Sequence, residues 1–140
     1  MRPRAIFYPE DPRSNEAAQL IIGELFRDPH RKNAVELLGK MTCDDLNYCI
    51  EESTHLLAVG SLREHHLESR IAVIANIVVA RQFRGKGIGS RLATHLEHEA
   101  RSFGFEVVRL HAQDSSVGFY EHIGYTTINP LEPPELEKVL

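Results

Sequence analysis

A chain of 140 residues, 42% of them apolar, is large enough for one hydrophobic core and short for two. Its net charge of −4 argues against a nucleic-acid footprint, and no apolar run approaches the roughly 18 residues that span a bilayer. Met1-Arg2-Pro3-Arg4-Ala5 has basic residues but no apolar signal core after them, so one cytoplasmic domain over 1–140 is expected.

Residues 5–8 are apolar and predict a short strand, and Pro9 and Pro12 bracket a turn after it. From Ser14 the pattern becomes helical. Ala18, Ile21, Ile22, Leu25 and Phe26 form one face, Ser14 is the expected N-cap, and Asp28-Pro29 is the stop. A shorter helix is predicted over 33–40, carrying Val35, Leu37 and Leu38. Beyond Met41 the period changes to two. Leu46, Tyr48 and Ile50 alternate with Asn47, Cys49 and Glu51, as in a half-buried strand.

Residues 56–62 are the next strand, with Gly60 expected at a bulge, and 63–69 form a polar turn. Residues 71–79 are a longer apolar strand whose one polar interruption is Asn76. These three strands are close enough for an antiparallel meander. A glycine-rich turn follows, then a helix with Ile88, Leu92, Leu96, Ala100 and Phe103 on one face, ended by Gly104. Residues 106–112 form a strand, 115–122 a short helix closed by Gly124, and 125–128 the last strand. The tail, 129–140, reads as a loose acidic segment or as a short helix from Glu135. The order predicts an α/β (or α+β) fold with a mixed, mostly antiparallel central sheet flanked by helices.

Cys43 and Cys49 are the only cysteines and read as free thiols, since a chain of this size needs no staple. His95 and His98 lie one helical turn apart, and His65 and His66 are adjacent, yet neither pair belongs to a zinc-ligand spacing. No metal is expected.

The segment Gln82-Phe83-Arg84-Gly85-Lys86-Gly87-Ile88-Gly89 stands between Ile77-Val78-Val79 and the amphipathic helix. Glycines at a strand-to-helix turn let the backbone approach something bulky. The helix N-terminus adds free N–H groups and the positive end of its dipole, a combination suited to phosphate. The spacing Gly85-x-Gly87-x-Gly89 is one residue short of the dinucleotide fingerprint, and Lys86 is followed by Gly87 rather than the Ser or Thr of a Walker A loop.

What fits is Gln-x-x-Gly-x-Gly, from Gln82 to Gly87. It resembles the acyl-CoA pyrophosphate loop of the GNAT superfamily of N-acetyltransferases. A second segment, Phe119-Tyr120-Glu121-His122-Ile123-Gly124-Tyr125, is similar to the C-terminal signature of that superfamily, in which an aromatic pair opens toward the thioester. Leu110-His111-Ala112-Gln113 just upstream looks like small stand-alone bacterial members. The resemblance runs from about 71 to 127 and is only topological before that.

The resemblance implies transfer of an acetyl group from acetyl-CoA to a primary amine of a small molecule or protein. Amides of Arg84, Gly85, Lys86, Gly87, Ile88 and Gly89 would face the pyrophosphate, with charge added by Arg84 and Lys86. A main-chain N–H near Val78 and Val79 would meet the thioester oxygen. The pantetheine arm would lie between that strand and the one ending near Ala112, and Gln113 and Phe119 complete the expected cofactor contacts. Tyr120 is the candidate general acid, protonating the departing thiolate in a direct, ternary-complex transfer. Taken alone, Tyr120 also fits a core tyrosine, and Arg84 and Lys86 a solvated surface pair.

The general base stays open. Many relatives place an acid on the strand entering the loop, but 71–79 contains none. A water chain, Glu51, Glu52 or His111 remains, the last a residue type that titrates near pH 6.5. A non-catalytic acyl-CoA-binding or sensing module is the alternative. The expected partner is an amine acceptor, without nucleic acid or membrane, and sheet edges or the tail would serve a homodimer.

Overall fold

The computed structural model describes residues 2–8, 10–25, 45–65, 70–131 and 133–140. Within them, β1 (Arg4–Ala5) leads to α1 (Ser14–Leu25). A meander of β2 (Asp45–Glu52), β3 (His55–His65) and β4 (Ile71–Val79) follows. Next come α2 (Ile88–Ser102), β5 (Val107–His111), α3 (Val117–His122), β6 (Thr126–Asn129) and β7 (Glu135–Val139). The strands form one sheet in the order β1-β2-β3-β4-β5-β7-β6. Every pairing is antiparallel except β4 with β5.

Among the described residues, one helix covers each face of the meander. The stripe Leu92, Leu96 and Ala100 of α2 packs on Leu62, Ala72, Ile74 and Val108. On the other face, Ala17, Ala18 and Ile21 of α1 pack with Cys49, Val59 and Val78. Small residues at the helical spacing of α1 let it lie close, as its apolar stripe requires. Cys49 is free and fully buried, and burial pushes its thiol up to about 11, so it behaves as a small apolar core residue.

Four expectations are corrected. The bulge falls at Gly60 as expected, but its extra residue is on β4 and not on β3. Val59 pairs with Val78 and Ser61 with Ala75, so Gly60 stands opposite both Asn76 and Ile77. Glycine is needed at 60 for a different reason. A Cβ there would lie 3.1 Å from Leu92 Cδ2 and 3.2 Å from both Ile77 Cγ1 and Leu96 Cδ1, so its absence lets α2 sit on the sheet.

Ser14 does not cap α1, since its Oγ is buried without a hydrogen-bond partner among the described residues. The entry turn is held by Asp11 instead, whose Oδ1 accepts from the Arg13 N–H (2.9 Å) and whose carbonyl accepts from Ser14 (3.0 Å). The first strand is shorter than 5–8, because after Ile6 donates to the Asn47 carbonyl the chain turns away, burying Tyr8 against α1 and exposing Phe7.

The tail is neither loose nor helical. It forms β7, inserted between β5 and β6. Leu136 is fully buried, and Glu137 accepts from Arg109 Nε at 3.0 Å. Behind it, Lys138 Nζ donates to Glu97 Oε1 and to the Ile123 carbonyl, both at 2.9 Å, and the Tyr125 hydroxyl donates to Glu97 Oε2 at 2.9 Å. The predicted 33–40 helix and Cys43 lie outside the described residues. No described helix is long and apolar enough to cross a membrane.

Candidate active site

The parallel pairing of β4 with β5 runs through Ile71–Val107, Ala72–Val108 and Val73–Arg109 and then stops. Beyond it β4 carries its bulge at Asn76 and Ile77, while β5 stays paired to β7 as far as His111–Glu135. The two strands therefore part toward their C-terminal ends. A cleft of about 860 Å³ opens there, between the end of β4, the glycine turn, the N-terminus of α2 and α3.

The glycine turn faces this cleft. Gly85 and Gly87 both have φ +78°, a conformation that favours glycine, and no atom lies within 4 Å of where a Cβ would stand on either. Gly87 is the N-cap of α2 and supplies no side chain to cap it. Among the described residues, the amides from Gly85 to Ser90 donate to no backbone carbonyl. A run of unsatisfied donors at the positive end of a 15-residue helix has the chemistry to hold an anion. Gly89 serves packing: a Cβ there would lie 3.3 Å from both Phe119 Cζ and Val79 Cγ2, so glycine lets α2, α3 and β4 meet.

The charged residues of the turn behave differently from one another. Arg84 Nε donates to the Val79 carbonyl at 3.0 Å, folding its guanidinium back onto the end of β4. Lys86 sits with its Nζ 5.8 Å from the Phe83 ring centroid. Of the residues expected around a cofactor, Val78, Val79, Arg84, Gly85, Gly87, Ile88, Gly89, Gln113 and Phe119 line the cleft, and Lys86 does not.

Tyr120 lines the same cleft. It is 8% exposed and packs edge-on against Phe119 (5.0 Å between centroids) and Tyr125 (5.6 Å). Burial pushes its phenol up to about 12, so it stays protonated through the neutral range. Tyr125 is tied to Glu97, whereas among the described residues the Tyr120 hydroxyl makes no hydrogen bond. An unengaged donor at a cleft wall can stabilise a developing anion.

The three candidate bases separate clearly. Glu51 accepts from Arg4 Nε at 2.5 Å and pairs with Arg13, and the Arg4 hydrogen bond holds its carboxyl below the usual range. It is a structural tie between β2, β1 and the start of α1. Glu52 is exposed beside the β2–β3 turn. His111 ends β5 on the face away from α2, its Nε2 4.0 Å from Glu135 Oε2. The sequence reading missed Ile77, Arg81, Phe83, Ser90, Ser115, Ser116, His122 and Ile123 as cleft residues. The last two sit three and four residues beyond Phe119, so helical spacing was the available signal.

The sequence matches the profile of the Acetyltransferase (GNAT) family over residues 14–125. The chain belongs to the GNAT family. A stretch of 60 residues is 40% identical to N-alpha-acetyltransferase 80 of Mus musculus, covering 43% of this chain and 19% of that protein, so this chain spans about a fifth of the relative's length. An IAA acetyltransferase of Bacillus cereus superposes with a TM-score of 0.74 at 20% identity, covering 99% of this chain and 98% of that one. An aminoglycoside 6'-N-acetyltransferase, solved with coenzyme A, superposes at 0.82 with 15% identity, covering 99% and 97%. At such identities the likeness speaks for the fold, and it agrees with the mixed, mostly antiparallel GNAT sheet.

Proposed function

We propose that this GNAT protein moves an acetyl group from acetyl-CoA to a primary amine by direct attack, with both substrates bound together. The observation that carries the reading is the convergence on one cleft of the αL glycine turn, the uncapped start of α2, the parted β4 and β5, and the unengaged Tyr120 hydroxyl.

In this reading the amides of residues 85–90 grip the diphosphate, with no acidic group among the described residues lining the cleft to oppose it. The arm of the coenzyme lies in the gap where β4 no longer pairs with β5, completing hydrogen bonds that the sheet has left open. The backbone distortion at Asn76 and Ile77 supports an N–H near Val78 turned toward the thioester oxygen. The amine nitrogen forms its bond to the carbonyl carbon, the carbon–sulfur bond breaks, and the electron pair leaves with sulfur. Tyr120 gives the sulfur its proton or a hydrogen bond. A phenol raised to about 12 is a weaker acid than a thiol of about 8.5, so hydrogen bonding is the larger part of that role.

The test is calorimetry with acetyl-CoA, followed by thiol release with a panel of primary amines. Saturable binding with amine-dependent thiol release supports the proposal. Binding without release under any amine supports a sensing module instead, and no binding removes both readings.

A further inference from the structure

We infer that His111, backed by Glu135, takes the proton from the incoming amine, and that the face of β5 and β7 turned away from α2 receives a cationic acceptor. The inference rests on the acetyl transfer proposed above. The coenzyme cleft lies on the α2 and α3 side of the sheet, so the acceptor must reach the reacting carbon from the opposite side. On β5, Val108 and Leu110 face α2, which turns Arg109 and His111 to the other face. Their partners across the ladder, Glu137 and Glu135, share that face. His111 stands two positions beyond the last β4–β5 pair, where the strands have already parted.

The charges on this face are unevenly satisfied. Arg109 Nε donates to Glu137 Oε2 at 3.0 Å. Glu135 is left with Arg109 Nε and His111 Nε2 each at 4.0 Å, and among the described residues its carboxylate accepts no hydrogen bond, although it is only 25% exposed. A half-buried carboxylate with open lone pairs fits an ammonium. His111, 59% exposed beside it, can be reached by the same group. Arg109, Glu135 and Glu137 are the charged groups facing His111 from β5 and β7, one positive against two negative. Glu51, the other half-buried carboxylate weighed as a base, is engaged by two arginines.

The proton balance follows. The ammonium gives one proton to His111 Nε2, directly or through water. The neutral nitrogen bonds to the carbonyl carbon and later loses a second proton to solvent. Sulfur leaves with its electron pair and is protonated through Tyr120, which recovers its proton from solvent. His111 then releases its proton to solvent, and the sum is ammonium plus thioester giving amide, thiol and one proton.

The test uses the whole chain with acetyl-CoA and, as probes, glycinamide, spermidine and a peptide with a free α-amine. For whichever probe is transferred fastest, His111→Ala should lower kcat/KM at neutral pH by about 100-fold, and imidazole should restore part of it. The acid limb of the pH profile should vanish, while acetyl-CoA affinity and melting temperature hold. Glu135→Gln should raise KM for the cationic probe more than it lowers kcat. An unchanged kcat/KM and pH profile in His111→Ala overturns the inference, as does a wild-type chain that binds acetyl-CoA and transfers to none of the probes. Failure of the wild type to bind acetyl-CoA is a separate result and removes the underlying reading.

Discussion

Replacing Gly87 by alanine puts a Cβ on a residue at φ +78° with no atom within 4 Å of it. There is no clash to relieve, so the whole cost is conformational, about 1–2 kcal/mol for a left-handed non-glycine residue. The turn has two ways to respond. If it keeps its shape, the strain appears as lost stability, a fall in Tm of roughly 3–8 °C for a domain of this size, with acetyl-CoA affinity retained. If it relaxes to negative φ, Tm is kept, but the amides at the start of α2 no longer converge and affinity falls by about 5- to 30-fold. Thermal melting and calorimetry on one preparation read both quantities, and their sum should recover the strain. Gly23→Ala is the control. Gly23 lies inside α1 with open space around it, so alanine should add roughly 0.5–1 kcal/mol and leave affinity alone. A Gly87→Ala protein with unchanged Tm and unchanged affinity would refute both the strain and the role of the turn.

Tyr120→Phe should lower kcat by roughly 10- to 10⁴-fold with acetyl-CoA affinity retained, measured by thiol release and calorimetry; an unchanged kcat with chemistry rate-limiting removes the acid role. Lys138→Met leaves the buried Glu97 with Tyr125 as its one remaining partner of the pair that now holds it, and should cost about 2 kcal/mol in denaturant unfolding. Glu51→Gln should cost about 1 kcal/mol at pH 7, a figure already reduced for the partial exposure of Arg4. Because the folded carboxyl is held low by Arg4, that stability is present above the usual glutamate range and is lost as pH falls through the depressed value, so the wild-type and Glu51→Gln unfolding curves should converge on acidification.

How far the sequence carried the structure depends on whether a signal was local. The strand β4 was read to the residue, because eight apolar positions out of nine between a polar turn and a glycine turn admit little else. The α2 helix was equally clear from Ile88, Leu92, Leu96 and Ala100. The strand β7 was not, since Glu-Leu-Glu-Lys-Val after a run of prolines buries Leu136 almost alone. Its other support is remote, from Arg109 on β5, Glu97 on α2 and Tyr125 before β6, and no short window of sequence brings these together. That omission also hid the Glu135 partner of His111 and left the choice of base open. At Gly60 the reading found the right place on the wrong strand. A glycine can mark an extra residue in its own strand or the close approach of something else, and only the packing of Leu92 and Leu96 distinguishes the two.

The extra residue in β4 links the fold to the chemistry through parity. Side chains alternate along a strand, so a residue added at Asn76 and Ile77 exchanges the faces of everything after it. Ile74 therefore packs with α2, but Val78, four positions on, packs with α1, and Ile77 and Val79 take the α2 side. Without the exchange, Val78 would point at α2 and the α1 core would lose one of its contacts with the sheet. The same irregularity coincides with the end of pairing to β5, so among the described residues β4 continues with β3 as its one strand partner, and its other edge lacks a strand, although Arg84 Nε takes up the Val79 carbonyl. A bare inner edge is costly inside a sheet unless another extended group fills it. The cleft is thus a gap in a hydrogen-bonded ladder as well as a space between side chains, and a ligand with an amide-bearing extended arm fits it better than one that is merely apolar.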